Sequence, residues 1–239
     1  MIDAVESVLA ETPIDRNPYL ASLADGSLSR EDFLETQAQF YYAVVFFSRP
    51  MAALVAKIPT AGLRVEILRN VWEEHGEGDL SQRHGATFLE LLNRLGGLTQ
   101  ADVEARALWP EVRAFNAVLA GTCMLDDWEV GAGMLGMIER MFSTISARIG
   151  RGITARGFLT TERLIHYKLH EELDVRHSDD FFAALRPTFE SGPRGRQLVE
   201  QGLRLGAYVF DRLYRDLFAA RGRRLLAAVP RPQERIYAE

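Results

Sequence analysis

Cysteine is almost absent from this chain, with one, Cys123, in 239 residues. A lone cysteine excludes an internal disulfide framework and any zinc site built on two or more thiolates. It fits a reducing compartment. A basic excess is also lacking. Lys plus Arg number 28 against 33 Asp plus Glu, a formal charge of −5, which argues against a phosphate-backbone binder, so no nucleic-acid partner is expected. No apolar run approaches the ~20 residues that a membrane helix needs. The longest candidate, Phe40 to Phe47, is eight residues and ends at Ser48-Arg49-Pro50. Met1-Ile2-Asp3-Ala4-Val5-Glu6 opens acidic, without the basic and apolar regions of a signal peptide. These absences lead us to expect a cytoplasmic protein with no membrane partner. Strand signals are missing too: strict alternation is absent, and Asp25-Gly26 precedes a helix rather than closing a hairpin.

The period that remains is helical. Ser29-Arg30-Glu31-Asp32 reads as a capping-box-like start, with Asp for the usual Glu or Gln, opening a helix from Arg30 to Phe47. Pro50 fits the first turn of a following helix, Met51 to Lys57. Leu63, Ile67, Val71 and Trp72 form an apolar stripe on a helix running to about His75. Gly76-Glu77-Gly78-Asp79 interrupts or bulges it. The next helix turns Phe88, Leu91, Leu92 and Leu95 inward and stops at Gly96-Gly97. Thr99 to Ala107 and Pro110 to Thr122 read as two shorter helices. Asp126 or Asp127 caps a long one to about Ile149, and Thr160 or Thr161 starts another that ends before Pro187. Pro193 to Ala220 is the last long helix, and Arg221 to Glu239 a polar tail. The sum is one all-α domain over 1–239, with its core at about 30–220 and seven or eight helices with short connections. Gly202 and Gly206, four apart, allow close packing inside the chain or between chains, so a homodimer is a possible assembly.

All five histidines fall in two short segments. The second contains His166, His170 and His177. On a helix His170 and Asp174 are i and i+4, and Asp174 and His177 are i and i+3, so all three share a face. Imidazole nitrogen with carboxylate oxygen suits Fe(II), Mn(II) or Zn(II). The competing reading is a solvated charged face, given Glu171, Glu172 and Arg176; His166 reads as packing. The first segment holds His75, with Glu74 and Glu77 as carboxylates that can work with His84. Glu77 shares the face of His84 if the helix is unbroken, whereas Glu74 is roughly 80° off it. A break at Gly76-x-Gly78 would swing Glu74 into line. The third element is Glu139, a single acid in an apolar, Met- and Gly-rich stretch, which pairing with Arg140 or Arg148 would also explain. Two His-and-carboxylate helices with an isolated acid between them are what a bundle-core two-metal site requires.

Three blocks carry a resemblance to a known family. They are Gln39-Phe40-Tyr41-Tyr42 through Phe46-Phe47-Ser48-Arg49-Pro50; Asn70-x-x-Glu73-Glu74-x-Gly76-x-Gly78 with His84 and Phe88-Leu89; and Tyr167-x-x-His170-x-x-x-Asp174-x-x-His177, with Glu139 lying 31 residues before His170. In these the chain resembles the heme-oxygenase-like diiron oxidases and oxygenases. The resemblance implies a heme-oxygenase-like bundle around two non-heme Fe(II) ions, with Glu74, His84, Glu139, His170, Asp174 and His177 as ligands and O2 as co-substrate. Some members add a Glu from the early aromatic helix, where this chain offers Gln39, with Glu35 one turn away. The implied activity is oxidation of a small amino acid, amine or fatty acid (N-oxygenation, desaturation, oxidative C–C cleavage or decarboxylation) in specialised metabolism. Tyr41, Tyr42, Phe46, Phe47, Trp72 and Tyr167 are pocket candidates that plain core packing would equally explain. Arg148, Arg151, Arg156 and Arg163 are candidate carboxylate partners. The rival readings are a metal-free or single-metal enzyme on the same scaffold, of thiamin-salvage or quinone-cofactor-synthase type, and a non-catalytic helical interaction protein.

Overall fold

A computed structural model describes residues 1–164 and 166–226, with backbone alone at 168–172. The described residues form ten α-helices: α1 (Ile2–Glu11), α2 (Pro18–Asp25), α3 (Arg30–Lys57), α4 (Ala61–Glu74), α5 (His84–Gly96), α6 (Gln100–Glu104), α7 (Pro110–Leu125), α8 (Trp128–Ala155), α9 (His166–Glu190) and α10 (Pro193–Ala220). The all-α reading holds. The two N-terminal helices stand in addition to those anticipated from the sequence, and of the tail, residues 227–239 lie outside the described residues.

The helix starts follow local chemistry. Ser29 caps α3 by accepting from the Asp32 N–H at 3.0 Å. Thr99 and Asp102 form a full capping box on α6. Gly97 closes α5 in the left-handed conformation. Two prolines expected at helix boundaries lie inside helices instead. Pro50 lies inside one continuous α3, and Pro187 lies inside α9. An interior proline removes one helical hydrogen bond. Along α3 that loss is offset by the burial of Phe40, Tyr42, Met51 and Leu54 on both sides of it.

The helices α8, α9 and α10 pack against one another and α3 lies across α7 and α5, so α8 is walled in along its length. Glycines set the closest approach. A Cβ on Gly133 of α8 would lie 2.9 Å from the Val199 carbonyl of α10, and one on Gly202 would run into the Val130 carbonyl. Gly202 and Gly206 are therefore used inside the chain, against α8. A Gly202→Val substitution is expected to lower stability by about 3 kcal/mol or more, since backbone rather than a flexible side chain must give way; urea melts check this. The core continues into rings, with Phe40 stacked near Phe88, Phe142, Phe210 and Tyr214. Beneath them Tyr167 donates to Gln37 Oε1, and Gln37 Nε2 donates to Tyr19 Oη at 2.7 Å. No helix among the described residues is long and apolar enough to cross a membrane.

Candidate metal centre

Glu74 ends α4 and is buried. Beyond it the chain leaves the helix in one tight turn, Gly76–Gly78, in which Gly76, Glu77 and Gly78 all have positive φ. Glycine tolerates this conformation and Glu77 is strained by it. The turn is close enough that a Cβ on Gly76 would sit 2.8 Å from the Arg83 nitrogen. The loop thereby returns His84, the first residue of α5, onto Glu74, and His84 Nδ1 donates to Glu74 Oε2. Glu77 points outward and is exposed. The helix break, not an unbroken face, decides between the two acids.

Glu139 comes from the middle of α8 and is 4% exposed. From α9 come Asp174, at 0% exposed, and His177, at 1%. Glu74, Glu139 and His177 each present a donor atom within 4.8 Å of the others. His177 Nδ1 lies 3.9 Å from Glu139 Oε1. That is too long for a hydrogen bond, and both atoms are buried without a hydrogen-bond partner. Two donors that share one cation at about 2.1 Å sit at most about 4.2 Å apart. These orphaned atoms, with their hard oxygen and borderline nitrogen donors, fit a divalent iron.

The electrostatics agree with that fit. Burial pushes the Glu139 carboxyl well above the usual carboxylate range; the charges of Asp174 and Glu74 push it further, and the Asn70 amide pulls it back in part. Burial likewise raises Asp174 to about 8, against the lowering influence of His84 and His177. For His84 burial opposes the charged form, but the charge and hydrogen bond of Glu74, with Asp174 behind them, prevail and raise its pKa. Carboxylates crowded in a dry pocket hold protons that a divalent cation would displace.

Of the six expected ligands, five lie in this region of α4, α5, α8 and α9. The side chain of His170 lies outside the described residues. Glu35 and Gln39 are committed elsewhere: Glu35 accepts from Arg106 Nε at 2.9 Å, and Gln39 bonds the Ala107 carbonyl and the Trp109 N–H. His166 is packed among rings, 4.7 Å from Phe88 and 5.2 Å from His84, with Nδ1 3.1 Å from Thr87 Oγ1. His75 bonds its own helix at the Val71 carbonyl. One residue was missed as a site residue. Glu73, next to Glu74, accepts from His177 Nε2 at 2.7 Å and from Arg176 at 2.5 Å. Its only sequence signal was its place in the Glu73-Glu74 pair.

A small cavity of about 30 Å³ opens beside His84 and Glu139, walled by Phe40, Val44, Phe47, Phe115, Phe142 and Phe210 among others. Of the pocket candidates only Phe47 lines it. Trp72 is 54% exposed, and Tyr42 and Tyr167 are core residues whose hydroxyls bond the Val103 carbonyl and Gln37. Arg148, Arg151 and Arg156 border a different cleft with Asp15 and Leu20. Arg148 pairs there with Asp15, and Arg156 donates to the Leu28 carbonyl.

An all-α heme-oxygenase-like bundle with buried carboxylates and imidazoles at its centre defines the class. Residues 34–210 match the model of a family described as iron-containing redox enzymes, and the chain belongs to that family. It is similar to the 4-aminobenzoate synthase of Nitrosomonas europaea, 24% identical over 192 residues and 76% of each chain. It is also similar to that of Chlamydia trachomatis serovar D, at 21% over 178 residues, covering 74% of this chain and 75% of the relative. Among solved structures, a TenA homologue from Pseudomonas syringae pv. tomato superposes with a TM-score of 0.72 at 16% identity, covering 91% of this chain and 90% of that one. A TenA homologue from P. horikoshii gives 0.68 at 15%, covering 91% and 95%. At such identities these structures speak for the fold alone.

Proposed function

We propose that this protein is a non-heme diiron enzyme that uses O2 to oxidise a small molecule. The observation that carries the reading is the convergence of Glu74, Glu139 and His177 on one buried point, with Glu139 Oε1 and His177 Nδ1 unpartnered. Glu74, His84, Glu139, His170, Asp174 and His177 would hold two Fe(II) ions between α4, α5, α8 and α9. When bound, the irons supply the reduction of O2 and the oxidising equivalents for the substrate.

The chain's own residues do the rest. Burial favours the protonated form of Glu139 and Asp174, and a bound divalent cation would displace those protons to solvent. Glu74, Glu139 and Asp174 would offer the iron hard, anionic oxygens. The phenyl wall of the cavity keeps bulk water from the side bounded by His84 and Glu139. At about 30 Å³ the cavity holds one or two water-sized molecules, so a substrate that uses it must part these side chains. The metal-free alternative on this scaffold leaves Glu139 Oε1 and His177 Nδ1 buried and facing each other without a hydrogen-bond partner, which counts against it.

Anaerobic Fe(II) loading, metal analysis and O2 exposure test the reading. The expected result is close to two irons per chain and O2 consumption stimulated by one member of a panel of amino acids, amines and fatty acids. The names of the relatives add formation of 4-aminobenzoate as a product to assay. One zinc per chain, or no bound metal, contradicts the proposal.

A further inference from the structure

Glu73 and Glu74 are neighbours at the end of α4, yet they face different partners. Successive residues on a helix point about 100° apart, so Glu74 turns into the cluster while Glu73 reaches α9. There one oxygen, Oε2, accepts from both His177 Nε2 and the guanidinium of Arg176. The Glu73 side chain is 10% exposed and that of His177 is 1% exposed, so water does not compete strongly for this bond. A carboxylate paired with a guanidinium is an acceptor only. The shared proton therefore belongs to His177 Nε2. The other ring nitrogen, Nδ1, faces Glu139 at 3.9 Å without a hydrogen-bond partner.

We propose that Glu73 is a positioning residue: it fixes the proton of His177 on Nε2 and the plane of its ring, and so makes Nδ1 the atom that binds metal. Arg176 in turn holds Glu73. The inference rests on the metal centre proposed above, but it makes a claim about the imidazole that stands without metal. A carboxylate behind a ligating imidazole also raises its basicity, and loss of such a partner costs 10- to 100-fold in metal affinity.

The test compares wild type with Glu73→Ala and Glu73→Gln, the glutamine keeping an acceptor oxygen at the same reach. In metal-free, 15N-histidine-labelled protein at alkaline pH, NMR should assign the His177 proton to Nε2 in wild type and in E73Q. In E73A the two tautomers should mix. Titration with Co(II), followed by its visible absorption, should show a 10- to 100-fold weaker affinity for E73A and a smaller loss for E73Q. A crystal structure of the Co(II)-loaded wild type should show cobalt on Nδ1. A proton on Nδ1 in the metal-free wild type, cobalt on Nε2, or an E73A protein with unchanged tautomer and affinity would each overturn the proposal. If E73A does not fold, E73Q and Arg176→Ala carry the comparison. If Co(II) fails to bind wild type while the Nε2–H assignment holds, the metal centre falls and the hydrogen-bond assignment survives.

Discussion

Replacing Glu139 with methionine is expected to raise the thermal stability of the metal-free protein and to abolish its stabilisation by Fe(II). Glu139 sits in α8 beside Ile138, Met141 and Phe142, which are all buried, and its Oε1 has no hydrogen-bond partner. Burial and the nearby acids Asp174 and Glu74 force the carboxyl toward its neutral form. Exchanging such a group for an apolar side chain of similar volume stabilises by about 1–4 kcal/mol where the polar group lacks compensation. At roughly 2 to 4 °C per kcal/mol for a chain of this size, the shift is easily measured. Wild type should show the opposite balance, a lower melting temperature in chelator and a rise with Fe(II), about 2.7 kcal/mol at a hundredfold excess over Kd. Scanning fluorimetry under anaerobic conditions, with and without Fe(II), reads both. A metal-free E139M protein several degrees less stable than wild type would mean that Glu139 serves the fold rather than a cation.

The second large effect is the pH dependence of the metal-free protein. Asp174 is raised to about 8 in the folded chain, and Glu139 lies well above its usual range. A buried acid with a raised pKa binds its proton more tightly folded than unfolded. Its contribution is therefore fully present below the unfolded carboxylate range near 4 and is lost as pH rises toward the folded value. The raised His84 acts in the same sense, its contribution fading as pH climbs above the ordinary imidazole range. Stability without metal should thus fall from about pH 5 to pH 8, on the order of 1 kcal/mol per pH unit for each group that titrates alone. With Fe(II) bound the acids are already ionised, and the trend should flatten or reverse, because metal competes with protons. Urea melts at a series of pH values, in chelator and in metal, check the sign. A metal-free stability that rises across this range would contradict the placement of the acids.

Much of this centre was legible because its spacing is local. Asp174 and His177 are three residues apart on one helix, and the i, i+3 rule puts them on the same face without knowledge of any neighbour, though only the fold shows that this face is buried. Glu139 stood out as a single acid in an apolar stretch. The choice between Glu74 and Glu77 was not legible. It depends on the left-handed turn at Gly76, Glu77 and Gly78, whose path is set by the close return of the chain at Gln82 and Arg83 against Gly76. Glu73 was hidden for a related reason, since its partners Arg176 and His177 are more than a hundred residues away and only the packing of α4 on α9 joins them. Pro50 and Pro187 misled the boundary reading because tertiary burial along α3 and α9 outweighs the local cost of an interior proline.

The central claim, a pair of irons gripped at the crossing of α4, α5, α8 and α9, is tested most directly by anomalous diffraction at the iron edge from anaerobically loaded crystals. The account predicts two peaks within bonding distance of Glu74, Glu139 and His177, with His84, His170 and Asp174 completing their ligands. A map with no peak at that crossing, while Glu139 and His177 keep their present separation, would contradict it.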